Sequence, residues 1–327
     1  MENETNNSKS IWRIENRTKY FVYVLVGLSI VSVALFALLV SSKNSLDKEK
    51  KVAAKEKVNQ FENLNLQAEG VVVFDVINDR EIFSKNGDEP LPLASLTKVL
   101  TAVVTSEKLR DNQEVKIAAE YLSPEGDSKL LVGDTWQVDD LRDFTLLTSS
   151  NDGAFALATI SEIKKDKNQN NIPVSGDNLR VQFIRDMNST AEKIGLSNSK
   201  FFNVHGLDKD ADRGGAYGTA HDMALLFKYT LKNHPEILEA TRYENLEFTS
   251  GAGVYSATNT NKFVDQIPDL IASKTGFTDL AGGNLVIAFN AGINRPIIIS
   301  VLDSTEEGRF TDVLKLVKAT INQLPNL

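Results

Sequence analysis

The 327-residue chain is 42% hydrophobic and 24% charged, a globular balance that excludes a largely disordered, collagen-like or multi-span membrane protein. Residues 1–67 hold 10 Lys and Arg against 7 Asp and Glu, so of the net charge of −8 the remaining residues 68–327 carry −11, and so acidic a body argues against a nucleic-acid partner. The absence of cysteine excludes disulfides, thiolate zinc sites and cysteine nucleophiles, and 3 histidines leave little room for a histidine metal centre.

Tyr20–Val40 is an uncharged run of 21 residues rich in Val, Leu, Ile and Phe. As a helix it spans roughly 30 Å, the thickness of a bilayer's hydrocarbon core. The run exceeds the apolar region of a cleaved signal peptide, and Leu38-Leu39-Val40-Ser41 lacks a small-x-small cleavage pattern. A retained transmembrane helix over 20–40 is therefore predicted, preceded by a short N-terminus at 1–19. Lys9, Arg13, Arg17 and Lys19 precede the span, and Lys43, Lys48, Lys50, Lys51 and Lys55 follow it, so the positive charges do not decide its orientation. Residues 43–67 have no Gly or Pro and are rich in Lys, Glu, Ala and Leu. They predict a solvated helical stalk over 41–67, with a coiled-coil dimer as the lesser alternative because no clean heptad is held.

In the body, Ala68–Val76 and Arg80–Ser84 read as strands joined by a turn at Asn78-Asp79. Ser95–Leu109 has helical spacing, as do Val138–Leu147, Gly153–Ile163, Asn178–Ile194 and Thr219–Asn233. Lys164–Asn178 is polar and reads as an exposed loop. Strands follow at Glu244–Thr249, Leu270–Ser273, Gly283–Asn290 and Pro296–Leu302, and a helix at Arg309–Leu324 closes the chain. Strands at both ends around a helical middle predict an α+β fold: one antiparallel sheet built from both ends of the domain, with flanking helices and an inserted helical subdomain.

Three short motifs carry chemistry. Ser95-Leu96-Thr97-Lys98 sets a serine and a lysine three apart at a helix start, on one face. A serine hydroxyl needs a base, and a lysine is one only when neutral; a helix N-terminus and a second cation both lower its pKa. The same S-x-x-K spacing recurs at Ser45, Ser161 and Ser197, but only Ser95 has proline upstream and a continuous apolar helix after it. Ser149-Ser150-Asn151 offers a hydroxyl to pass a proton and an amide to hold a peptide group, or else an N-cap for the Gly153–Ile163 helix. Lys274-Thr275-Gly276, at the end of the Leu270–Ser273 strand, offers a fixed cation, a hydroxyl for a carboxylate and a glycine that admits a ligand backbone, or else a plain strand-to-turn signal.

Together, in this order, the three motifs resemble those of class A β-lactamases and penicillin-binding proteins. The text around them, Ala94-Ser95-Leu96-Thr97-Lys98, Asn151-Asp152, Asn203-Val204-His205-Gly206-Leu207, Thr219-Ala220 with Asp222, and Lys274-Thr275-Gly276-Phe277-Thr278 with Gly282, resembles the D-alanyl-D-alanine carboxypeptidases over roughly residues 66–325. Leu93 stands where that family usually has proline, Ser150 where it usually has glycine, and the 164–178 loop is longer. The resemblance implies a β-lactamase/transpeptidase-like fold over 68–327, a peptidoglycan stem peptide ending in D-Ala-D-Ala as substrate, β-lactams as covalent inhibitors, and no metal or organic cofactor. It implies Ser95 as nucleophile, Lys98 as its base and Ser149 as proton relay. Asn151, Lys274, Thr275, Gly276 and Phe277 would bind substrate, Arg309 would present a carboxylate-binding guanidinium, and the Ser95 and Phe277 backbone N–H groups would hold the oxyanion. Gly206 and His205 read as structural. Such a substrate puts the body outside the cytoplasm, with 1–19 inside and 20–40 anchoring it to the cell membrane. Rival readings on the same fold are a D,D-endopeptidase and a serine β-lactamase, the latter lacking an E-x-x-L-N segment between Asn151 and Lys274; an inactive wall-binding module is the non-enzymatic alternative.

Overall fold

The computed structural model describes residues 3–55, 59–122, 130–163 and 176–324. It falls into two units, Met1–Asn59 and Gln60–Leu327. In the first, one helix, α1, covers Asn3–Lys55. Its stretch Lys19–Leu46 is long and apolar enough to cross a membrane and is unburied.

In the second unit, β1 (Gly70–Asp75) and β2 (Arg80–Lys85) form a hairpin, and β3 (Leu91–Pro92) leads through a 3-10 turn at Ala94–Leu96 directly into α2 (Thr97–Ser106). A mainly helical stretch follows: β4 (Glu114–Lys116), β5 (Thr135–Gln137), α3 (Val138–Thr148), α4 (Asn151–Glu162), α5 (Gly176–Ile194), β6 (Lys200–Phe201), β7 (Ala216–Gly218), α6 (Ala220–Asn233) and α7 (Glu236–Glu239). The chain then returns to strands, β8 (Asn245–Ser250), β9 (Gly253–Thr258), β10 (Leu270–Thr278), β11 (Gly282–Asn290) and β12 (Pro296–Ser304), and ends on α8 (Gly308–Gln323).

Five of these strands make one antiparallel sheet in the order β10-β11-β12-β1-β2. The two chain ends meet at β1 and β12, with Val72 opposite Ser300. Because side chains alternate along a strand, near-continuous apolar runs must be covered on both faces. Val71, Val73, Leu285, Ile287, Ile299 and Val301 pack under Phe310, Val313 and Leu316 of α8. Val72, Phe74, Val286, Ala288 and Ile298 face Val99, Leu100 and Val103 of α2 and Met223 and Phe227 of α6. Each such side chain contributes about 1.5–3 kcal/mol by leaving water. A separate cluster of Trp136, Leu141, Phe144, Leu157 and Phe248 holds α3 and α4 against the β8–β9 hairpin.

The α+β sheet built from both chain ends is thus present. Several local expectations differ. The stalk expected over 41–67 is not helical at 59–67; there Phe61 stacks on Phe83 at 4.9 Å, is only 4% exposed, and joins the α8 face with Leu64 and Leu66. Absence of Gly and Pro permits a helix, but the packing of Phe61, with Leu64 and Leu66 partly buried beside it, outweighs propensity. Ser95 lies in the 3-10 turn, and α2 ends at Ser106, short of Leu109. Of the expected 164–178 loop, 164–175 lies outside the described residues and 176–178 open α5. The strand expected to stop at Ser273 continues to Thr278. Strands β4, β5 and β9, and the small β3-β7-β6 sheet, are too short or too polar to show periodicity.

Candidate active site

The segment before α2 is held from several sides. Leu93 N donates to Ala216 O (3.0 Å), and Asn284 Nδ2, from β11, donates to Pro92 O (2.9 Å). Ala94 adopts φ 47°, a left-handed conformation that a non-glycine residue keeps only when its surroundings enforce it. Two glycines enforce it here. A Cβ on Gly206, itself at φ 86°, would lie 1.8 Å from Ala94 O, and a Cβ on Gly276 would lie 3.0 Å from Leu93 O and 3.1 Å from Ser95 N. Gly276 packs closely against the turn that carries Ser95. Gly206 is structural, as expected.

Lys98, one turn after Ser95, donates from Nζ to Ser95 Oγ (2.7 Å) and to His205 O (2.8 Å). It is 1% exposed. Burial pushes its pKa well below the usual lysine range, and the Lys274 ammonium adds to the effect. Of the two causes, desolvation leads and the second cation follows. A neutral amine keeps a lone pair and can therefore reverse this hydrogen bond, accepting the Ser95 proton. His205 is held at a pKa of about 3 by burial and by Lys98, and its Nδ1 accepts from Leu207 N (3.1 Å). It is a neutral, structural ring.

On the opposite side, α3 ends at Ser149 in the left-handed conformation, φ 60°. Ser150, not Ser149, caps α4, its Oγ accepting from Gly153 N (2.8 Å). The Ser149 hydroxyl is thereby released from capping and accepts from Lys274 Nζ (2.9 Å). Asn151 is the first residue of α4, and its Oδ1 is buried with no hydrogen-bond partner among the described residues. A buried acceptor without a partner costs about 1–3 kcal/mol, which a ligand N–H would offset.

β10 supplies the third wall. Lys274, also 1% exposed, donates to Thr275 O (2.8 Å) as well as to Ser149. Burial, followed by the Arg309 guanidinium, lowers its pKa to about 7. Thr275 is buried, its Oγ1 lying 2.6 Å from Thr260 Oγ1. Phe277 is 43% exposed. Arg309, in the first turn of α8, donates from Nη1 to Gly276 O (2.7 Å), with its guanidinium carbon 4.7 Å from the Phe310 ring centroid and 5.9 Å from that of Phe277. Its Nε is buried without a partner among the described residues.

Direct contacts thus bring Ser95 with Lys98, Ser149 with Lys274, and Gly276 with both Ser95 and Arg309. Asn151 and Phe277 adjoin them in the chain. Three contributors escaped the sequence reading. Thr260 touches Thr275. Asn284, fully buried, ties β11 to Pro92 and accepts from Asp303 N (2.8 Å). Asp208 accepts from Thr278 Oγ1 (3.0 Å) and Leu280 N (3.2 Å), pinning the end of β10. Each is a common polar residue in a turn or strand, with no local pattern to mark it.

Comparison with known proteins adds an independent finding. Residues 54–306 match the family model described as D-alanyl-D-alanine carboxypeptidase. The chain is 26% identical to the D-alanyl-D-alanine carboxypeptidase DacF of Bacillus subtilis over 277 residues, 83% of this chain and 66% of that protein. It is 30% identical to DacC of Escherichia coli over 267 residues, 77% of this chain and 61% of that one. It therefore spans somewhat under two thirds of the length of these curated relatives. Penicillin-binding protein D2 of Listeria monocytogenes, solved with cefotaxime and with ampicillin bound, superposes with a TM-score of 0.65 at 30% identity, covering 79% of this chain and 98% of that one. A D-alanyl-D-alanine carboxypeptidase from Mycobacterium tuberculosis superposes with a TM-score of 0.68 at 23% identity, covering 79% and 92%.

Proposed function

This chain belongs to the D-alanyl-D-alanine carboxypeptidase family, and on that premise we propose that it removes the terminal D-alanine of peptidoglycan stem peptides through an acyl-enzyme on Ser95. The observation that carries the reading is the buried Lys98 amine, pushed toward neutrality and 2.7 Å from the Ser95 hydroxyl. Ser95 Oγ attacks the carbonyl between the last two D-alanines while Lys98 takes its proton. The tetrahedral oxyanion sits between the Ser95 and Phe277 backbone N–H groups; donors of this kind are each worth about 2.7–4 kcal/mol in acyl-transfer sites. The Oγ–C bond forms, the C–N bond breaks, and Ser149 relays a proton to the departing amine. Water then cleaves the ester and restores Ser95.

Asn151 holds the acyl peptide, and its unpartnered Oδ1 supports that role. The terminal carboxylate is received by Thr275, Lys274 and Arg309. An anion beside Lys274 raises that amine's pKa above about 7, so substrate binding recharges it. β-Lactams present an amide and a carboxylate in similar relation, and the ampicillin and cefotaxime complexes of the Listeria protein support acylation of Ser95 by the same drugs. Residues 20–40 anchor the protein in the cell membrane as a single pass, with 1–19 inside and the 68–327 catalytic domain on the extracytoplasmic side, where stem peptides are.

Mass spectrometry of the full chain after incubation with benzylpenicillin tests the reading. A single adduct on the tryptic peptide containing Ser95, lost in Ser95→Ala, is expected, together with release of D-alanine from a D-Ala-D-Ala peptide by the unmodified enzyme. An adduct on another serine, or rapid turnover of the drug without D-alanine release, overturns it.

A further inference from the structure

The geometry points to Thr260 as a positioning residue that aims the Thr275 hydroxyl at the substrate's terminal carboxylate, an inference that rests on the carboxypeptidase reading above. Thr260 follows β9 in the segment Asn259-Thr260-Asn261, which is fixed on every side. Asn259 N donates to Glu244 O (2.7 Å), and Asn259 Nδ2 to Thr241 O (2.8 Å) and Tyr243 O (2.9 Å). Asn259 Oδ1 accepts from Asn261 N (2.8 Å), and Asn261 Oδ1 from Phe263 N (3.1 Å). Thr241 in turn binds β10, its Oγ1 accepting from Ser273 N (3.0 Å) and its O from Ser273 Oγ (3.0 Å). One residue thus sets the register of this segment against the strand that carries Lys274 and Thr275.

Within that frame Thr260 touches two walls of the site. Its N donates to Leu147 O (3.2 Å), two residues before Ser149, and its Oγ1 lies 2.6 Å from Thr275 Oγ1. Two hydroxyls sharing one hydrogen bond have two proton arrangements, since either can donate. A carboxylate only accepts. When it reaches Thr275, that hydroxyl must turn its proton to the carboxylate, which leaves Thr260 as the donor to Thr275. The resulting chain, Thr260 to Thr275 to carboxylate, strengthens each link by polarising the next. Without the Thr260 hydroxyl, Thr275 keeps its proton but loses the partner that orients it, and the free-acid end of the substrate is recognised less well. Thr260 acts only through Thr275.

The test compares the full chain with Thr260→Val, which removes the hydroxyl at nearly constant shape, and Thr260→Ser, which retains it. Two substrates are used: an acylated tripeptide ending in D-Ala-D-Ala and the same peptide with its terminal carboxylate converted to the amide. In Thr260→Val, kcat/KM for the free acid falls about tenfold, chiefly through KM, and that for the amide changes less than about twofold; Thr260→Ser restores the free acid to within about twofold. Equal losses on both substrates, no loss on either, or failure of serine to rescue overturns the assignment. Should the unmodified enzyme release no D-alanine, the carboxypeptidase reading itself fails, and binding of N-acetyl-D-alanine followed by calorimetry decides the point separately. Affinity about tenfold weaker in Thr260→Val and restored in Thr260→Ser supports the assignment; unchanged affinity rejects it.

Discussion

The site contains two serine–lysine pairs, and they are built in opposite ways. Ser95 and Lys98 are three residues apart, and one turn of backbone joins them at 2.7 Å. Ser149 and Lys274 are 125 residues apart and meet at 2.9 Å only because α3 ends beside β10. Both lysines are almost wholly buried, yet burial has different consequences. Lys98 is neighboured by Lys274 and is driven well below the usual range, whereas Lys274 is held at about 7, where charge and neutrality coexist. The local pair is suited to take a proton from a nucleophile. The distant pair is suited to respond to the charge of what binds.

Breaking the local pair has the largest effect. On the proposed mechanism Lys98→Met leaves Ser95 without its base, and penicillin acylation, followed by stopped-flow mixing, slows by about 10³–10⁴-fold. Breaking the distant pair costs less. Ser149→Ala removes the proposed relay to the leaving amine, and D-alanine release falls by about 10²-fold while drug binding before acylation is little changed. Loss of acylation as deep as in Lys98→Met would erase the distinction between the two pairs.

The pH profile sharpens the same contrast. With Lys98 as the proposed base, its protonation stops proton transfer from Ser95, so kcat/KM declines on the acid side. Lys274 loses its charge as pH rises through about 7, so kcat/KM for a carboxylate-ended peptide declines on the alkaline side with that midpoint. In Lys274→Met the alkaline limb disappears, and kcat/KM at its maximum is about 10²-fold lower; persistence of the limb would assign it elsewhere.

Stability responds most gently. The folded-state pKa of Lys274, about 7, lies below the ordinary 10.5, so the unfolded chain binds more protons between these values and folding stability rises with pH across that window. The penalty is fully present below about 7. Lys274→Met accordingly gains about 1–2 kcal/mol at pH 6, seen as a higher Tm, and the gain shrinks toward pH 10.5. A gain independent of pH would mean that packing, not charge burial, is the cause.

The same contrast explains what could be read from sequence. Ser95 with Lys98 is a local pattern, and a proline before and an apolar helix after it mark the copy that matters. Ser149, Asn151 and Lys274 were recognisable through the company they keep in order along the chain. Contacts that exist only in three dimensions left no such mark: Thr260 sits in an Asn-rich turn, and Asn284 reads as one polar residue in an apolar strand. Gly276 misled the strand boundary, since glycine ordinarily punctuates a strand, whereas here it stays inside β10 because the Ser95 turn presses on it. Residues 59–67 misled in the reverse sense, their composition permitting a helix that Phe61 and its neighbours forgo in order to pack.

The pairing of β1 with β12 bears on how the protein is made. Residues 70–75 leave the ribosome well before their partners at 297–302, and Lys274 and Arg309 also follow after the helical middle. Until the strands from 270 onward have emerged, a nascent chain carries Lys98 without the sheet that helps to bury it, and an amine open to water stays protonated. On the proposed mechanism, the Ser95 hydroxyl then lacks an uncharged neighbouring amine until β10, β11 and β12 have followed it out.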